Sequence, residues 1–293
     1  MKKLINLFLA LIIFSSIIVA PSYIGVFTAL ASGNTYYVSP TGSDSNSGTL
    51  SAPWRTIQKA ANTAVAGDKI EIMGGSYPEY VRPLNSGNAT NYITYENYNG
   101  QQVTINPVNA LDSSAIEVYA KSYLIFKGIS LIQTGTPPGS TSNSGISLRG
   151  GSNNIILDGL TTSNNRNGIT LDGWSSAPIR YITIQNCTVI GNTTQGVFLY
   201  NEVYDSIIKN NHIAYNGIPN AFGIEIGTDY PGIPERGAQR IDVYGNEIDH
   251  NSIQGIRTWN SNYIWIHNNY FHHNGATGIQ IENGSRNIVI ENN

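Results

Sequence analysis

The chain of 293 residues contains one cysteine, Cys187, so no internal disulfide can form and packing with hydrogen bonds must hold the fold. Cys187 itself is expected to be inert. Charge is also scarce: Asp, Glu, Lys and Arg make up 12 % of the residues, and the formal net charge is −3. No basic stripe is present to neutralise phosphates, which excludes nucleic acid as the expected partner. Histidine occurs five times. On strands, His267, His272 and His273 lack zinc-ligand spacing, so they are expected to be solvated or turn residues. Low charge with abundant Asn, Gly, Ser and Thr is a composition that elsewhere goes with disorder. Here a strict apolar alternation overrides that reading, because it supplies a buried face at every repeat.

The long apolar run, Leu4 to Ala20, lies near the N-terminus behind Met1-Lys2-Lys3 and ahead of Pro21. Ala29-Leu30-Ala31 is a small-x-small cleavage pattern, so residues 1–31 are expected to be a secretory signal rather than a membrane span. Cleavage before Ser32 would remove Lys2 and Lys3 and shift the formal charge from −3 to −5. A secreted, monomeric protein is expected, with no membrane partner after processing.

What the chain has in quantity is one repeated phrase. Gly145-Ile-Ser-Leu, Gly168-Ile-Thr-Leu, Gly196-Val-Phe-Leu, Gly223-Ile-Glu-Ile, Gly255-Ile-Arg-Thr and Gly278-Ile-Gln-Ile recur every 23 to 32 residues. Each is followed by a second alternation such as Tyr181-Ile-Thr-Ile or Tyr263-Ile-Trp-Ile, then by a short third segment such as His212-Ile-Ala-Tyr. A strand-only period of this length predicts an all-β fold, a parallel β-helix or single-stranded solenoid spanning 32–293. Asn186, Asn210, Asn246, Asn268 and Asn292 are expected at one corner, tolerating left-handed geometry and bonding from rung to rung. Pro53 to Ala66 predicts an amphipathic N-terminal capping helix with Ile57, Ala60, Ala61 and Ala64 on one face. The chain stops mid-coil at Asn293 without a closing segment, so further chain is expected beyond it.

The opening Tyr37-Val-Ser-Pro-Thr-Gly-Ser-Asp-Ser-Asn-Ser-Gly-Thr, then Pro53-Trp-Arg-Thr-Ile-Gln-Lys-Ala, Ala66-Gly-Asp and Gly74-Gly-Ser-Tyr, carries a family likeness. It resembles the N-terminal module of secreted right-handed parallel β-helix proteins of the pectate-lyase superfamily, especially the family-nine pectate lyases. Some β-helical xylosidases open similarly. The resemblance implies a right-handed coil and an extracellular polysaccharide as substrate. It carries over no catalytic residue, because the matched segment is structural. Family-nine lyases resemble one another in an Asp cluster that holds calcium beside a lysine base. This chain has no Asp-Asp pair, and its corresponding loops read Asn220-Ala-Phe-Gly-Ile-Glu and Asn251-Ser-Ile-Gln-Gly-Ile-Arg.

Period-2 alternation places two outward columns on the Gly-Ile-x-Leu strands. One runs Glu117, Ser147, Thr170, Phe198, Glu225, Arg257, Gln280; the other runs Tyr119, Arg149, Asp172, Tyr200, Gly227, Trp259, Glu282. Aromatic rings mixed with ionic groups suit a glycan. Arg257 is the candidate base for β-elimination of a uronate, with Glu225 tuning it or holding a cation. Trp259, Tyr200, Asp172, Arg149 and Glu282 are the candidate substrate contacts. A plain cross-rung ion pair accounts equally for Glu225 with Arg257, and for Arg149 with Asp172. Glu225 with Asp172 or Glu282 is a candidate carboxylate pair of inverting spacing, and Glu225 with Asp229 a candidate calcium site. A polysaccharide lyase is the first expectation, a glycoside hydrolase the second, and a non-catalytic carbohydrate-binding or adhesion solenoid the third.

Overall fold

A computed structural model describes residues 33–293 except 108–113, 134–142, 175, 218–220, 229–235 and 283. The expected signal segment and Asp229 lie outside the described residues. Among the described residues, three parallel sheets of ten, eight and seven strands run along one solenoid. From Ile116–Tyr119 to Tyr270–His272 each coil contributes one strand to each sheet in turn, and every strand pairs with its counterpart one coil away. The first strand, Thr35–Val38, pairs in parallel with Lys69–Ile72.

Inward-facing apolar residues form a single core. Ile146, Ile169, Val197, Ile224 and Ile256 stack as one fully buried column, and Leu148, Leu171, Leu199 and Ile226 as its neighbour. The repeated glycine has a steric cause. A Cβ at Gly145, Gly168, Gly196, Gly223 or Gly255 would stand 2.5–2.7 Å from the carbonyl oxygen of the next repeat's glycine. Any side chain there would push successive coils apart.

The corner asparagines divide two tasks between adjacent residues. Left-handed backbone falls on Asn186, Asn210, Gly245, Asn268 and Asn292. The rung-to-rung amide bonds belong to the following residue, so Asn246 is a ladder residue rather than a member of the left-handed set. Asn211 donates to Asn246 at 2.9 Å, Asn246 to Asn269 at 2.9 Å, and Asn269 to Asn293 at 2.9 Å. A second ladder runs through Asn165, Asn192, Asn216, Asn251 and Asn274. Each of these amides also bonds backbone, which satisfies polar groups that the sharp turns would otherwise bury unpaired.

At the N-terminal end, the helix expected over 53–66 is confined to Ile57–Thr63, with Ala64 as its C-cap. Ile57, Ala60 and Ala61 are buried, and the Thr56 side chain accepts from the Lys59 amide at 3.1 Å. Glu79 accepts from the Ile57 and Gln58 amides, and Asp44 from those of Arg55 and Thr56, all at 2.9 Å. The conspicuous residues of the opening segment thus hold backbone, consistent with a structural module. Cys187 is buried, and burial pushes its thiol up to about 12. No helix among the described residues is long and apolar enough to cross a membrane.

Candidate functional site

Strands Ser144–Arg149, Asn167–Gly173, Val197–Asn201, Ile224–Gly227 and Ile256–Trp259 form the face on which the candidate residues sit. Their pairing reproduces both outward columns. Thr170 pairs with Phe198, Phe198 with Glu225, Glu225 with Arg257, and Arg257 with Gln280. Arg149 pairs with Asp172, Asp172 with Tyr200, Tyr200 with Gly227, and Gly227 with Trp259. Parallel register with no slip explains why these columns could be read from the repeat alone.

Arg257 is the centre of this face. Its Nη1 donates to Glu225 Oε1 at 2.9 Å and its Nη2 to Glu282 Oε2 at 2.6 Å. The guanidinium also lies 5.0 Å from the Phe222 ring centroid and 5.4 Å from that of Trp259. Both acids of the candidate Glu225–Glu282 pair therefore grip one cation. Burial acts to lower the Arg257 pKa, but the bonds and charges of Glu282 and Glu225 outweigh it, and the net shift is upward. Glu225 is only 3 % exposed. Burial lifts its carboxyl above the ordinary glutamate range, against the lowering pull of Gln195 and Arg257. Gln195 Nε2 reaches Glu225 Oε2 at 2.5 Å, so both carboxylate oxygens are engaged.

Trp259 is half-buried rather than thrust into solvent. Its indole lies over Gly227, where a Cβ would fall 2.1 Å from the ring atoms Cδ1 and Nε1. Glycine at this column position is what lets the ring lie down. The indole Nε1 is buried without a partner. Tyr200 packs against Phe198 at 5.1 Å between centroids, and Tyr119 stands exposed at the far end of the column. Arg149 Nε lies 3.6 Å from Asp172 Oδ2, a looser pair than that of Arg257. Burial raises the Asp172 carboxyl pKa although Arg149 opposes it, and Asp172 Oδ1 is buried without a partner.

Gln195, Phe222 and Gln254 belong to this face but were not found by the column reading. All three immediately precede a repeat glycine, with Ser144 and Asn167 in the same position of earlier coils. There they lean over the outward column: Ser144 and Asn167 bond Thr170 at 2.8 and 3.2 Å, and Gln254 bonds Gln280. A polar or aromatic residue recurring before each glycine was the available signal.

Of the candidate calcium set, Asp229 lies outside the described residues, and Glu225 is bonded to Arg257. A hard cation needs several oxygens converging on it, whereas the carboxylates of Glu225 and Glu282 already converge on the Arg257 guanidinium.

Comparison with known proteins places this geometry in context. Residues 36–197 match the family described as Pel9A-like, right handed beta helix region, and residues 144–293 match right handed beta helix region. The chain is 29 % identical over 155 residues to pectate lyase PEL9 of Emericella nidulans, covering 48 % of this chain and 36 % of that protein. It is 30 % identical over 130 residues to the uncharacterized protein YwoF of Bacillus subtilis, covering 43 % and 28 %. The matched stretches thus span about a third of these curated relatives. A solved structure of XylC in complex with xylose superposes with a TM-score of 0.68 at 16 % identity, covering 87 % of this chain and 65 % of that one. That identity speaks for the fold alone. With its parallel three-sheet coil and its structural N-terminal segment, the chain belongs to the Pel9A-like right-handed β-helix family of the pectate-lyase superfamily.

Proposed function

We propose that this protein is exported and processes a uronate-containing polysaccharide by β-elimination, on the face that carries Glu225, Arg257 and Glu282. The observation that carries the reading is a protonated guanidinium fixed beside a buried carboxyl of raised pKa, between the Phe222 and Trp259 rings. The relative named as a pectate lyase supports the substrate class.

β-Elimination removes the C5 proton of a uronate, forms the C4–C5 double bond and expels the O4-linked sugar. The difficulty is the negative charge that builds next to an existing carboxylate. A cation of fixed geometry relieves it, and Arg257 is held for that task. The same contacts that keep Arg257 charged make it a poor proton acceptor, so Glu225 rather than Arg257 serves as the base. Ionised Glu225 accepts the C5 proton, and its raised pKa makes it a stronger base than an ordinary glutamate. Trp259 and Tyr200 offer sugar-stacking surfaces, with Arg149 and Asp172 as polar contacts farther along the same column.

Incubation of the protein with polygalacturonate, alginate and xylan, with and without calcium, tests the reading. Absorbance of unsaturated products on a uronate polymer is expected. New reducing ends without that absorbance would assign hydrolysis instead, and retention on a glycan without products a binding module.

A further inference from the structure

Four of the five histidines lie together, far from the groove column, on the sheet formed by the third strand of each coil. The strands involved are His212–Ala214, Glu247–Asp249 and Tyr270–His272. One ring nitrogen each of His250, His272 and His273 lie within 4.8 Å of one another. Linear spacing concealed this, because two coils supply the three residues and the bend between sheets aims them together. His267 is not among them; it stacks on Tyr244 and Trp265 and bonds Asp242 at 3.0 Å.

Two further observations distinguish this cluster from scattered surface imidazoles. The first is support by carboxylates. Asp249 Oδ2 bonds His250 Nδ1 at 2.5 Å, and Glu247 Oε1 bonds His272 Nε2 at 3.1 Å. Each carboxylate fixes a ring and its tautomer, leaving His250 Nε2 and His272 Nδ1 as lone-pair donors, the device that orients metal-bound histidines. Asp249 is 4 % exposed.

The second is backbone conformation. The left-handed bend that ends this strand is filled by Asn164 and Gly191 in earlier coils, then by Tyr215, His250 and His273. The last three form a stack, Tyr215 on His250 at 4.7 Å and His250 on His273 at 4.9 Å, which carries the imidazoles to the cluster. His272 Nδ1 and His273 Nδ1 stand 2.9 Å apart. Two ligands of a tetrahedral ion with bonds of about 2.0–2.1 Å are separated by about 3.3 Å, so a small rotation admits the ion.

We propose that His250, His272 and His273 bind one borderline divalent ion of the zinc, nickel or copper class, with Asp249 and Glu247 orienting the rings. The ion joins the coil of His250 to the coil of His272 and His273. The site is independent of the glycan face, and its test does not involve catalysis.

Titration of the full chain with Zn²⁺ alone at neutral pH, followed by calorimetry, tests it. One ion per chain is expected, with a thermal midpoint that rises with ion concentration. His250→Asn and His273→Asn place at the bend the residue that Asn164 already occupies there, so the fold is kept while binding is lost. Asp249→Asn is expected to weaken affinity by about 10- to 100-fold, and His267→Asn to leave it unchanged. Absence of saturable binding, or unchanged affinity in His273→Asn, would overturn the proposal.

Discussion

Arg257 and Glu225 show how an ion pair and a reactive pair differ at the scale of single residues. The sequence placed them in adjacent rungs and left both readings open. The third partner, Glu282, and the rings of Phe222 and Trp259 came only with the structure, because they reach the guanidinium from another column and from the turn before the glycine. Arg257→Ala would leave the buried Glu225 carboxylate without its cation. A loss of about 3–5 kcal/mol at neutral pH is expected, the range for stranding one partner of a buried pair. The pH dependence has a definite sign. Burial raises the folded-state pKa of Glu225, so its contribution to stability is fullest below the ordinary glutamate pKa and is lost as pH climbs through the raised value. Without Arg257 that pKa rises further. The difference between variant and wild type in urea denaturation should therefore shrink as pH is lowered toward 4. A difference independent of pH would show that Glu225 is not the group left unpaired.

Elements in this molecule are rungs, and their register is set by two devices that meet at the bend before each repeat glycine, where a Cβ at Gly196 would stand 2.8 Å from Asn216 Nδ2. Repeat glycines let strands of the candidate face approach, and asparagine ladders tie the bends. Asn216 is fully buried; it donates to Val189 O at 2.9 Å and accepts from the Asn192 amide at 3.1 Å. Asn216→Ala is expected to cost about 1–3 kcal/mol for each buried partner left unpaired, measured as a lower urea midpoint with an unchanged slope. Gly227→Ala acts on the candidate face itself. Its methyl group would occupy the place of the Trp259 indole, which must lift away. Weaker glycan binding and altered near-ultraviolet circular dichroism are expected, with far-ultraviolet signal retained. Strand positions and both outward columns were legible in the sequence because their period is two and their register does not slip. The bends were less legible. Asn246 was assigned to the left-handed position one residue away from its true role, since adjacent asparagines look alike until the backbone is traced. His273 is exposed at a left-handed bend, in keeping with a solvated or turn residue, but turn positions have no alternation, so nothing in the chain says that His272 and His273 meet His250.

The described residues of the solenoid stack so that each coil contacts its neighbours, and long-range order is built from repeated short-range pairing. Fold class follows directly from such a pattern, since every coil restates it. Function does not, because the repeat fixes where side chains stand without fixing which of them react. Hydrogen exchange should accordingly show the deepest protection in the central coils around Leu171 and Leu199, grading outward toward the first and last strands; uniform protection would indicate coupling beyond nearest neighbours. The central claim is that one face of this stack, that of Glu225 and Arg257, is the reactive one. The most direct measurement is the rate of unsaturated-product formation on a responsive uronate polymer by wild type, Glu225→Gln and Trp265→Phe, the last altering an exposed ring on the ten-stranded sheet. Loss of about 100-fold or more in Glu225→Gln, the range for removing a general base, with Trp265→Phe unchanged, is the expected result. Undiminished product formation by Glu225→Gln would contradict the account.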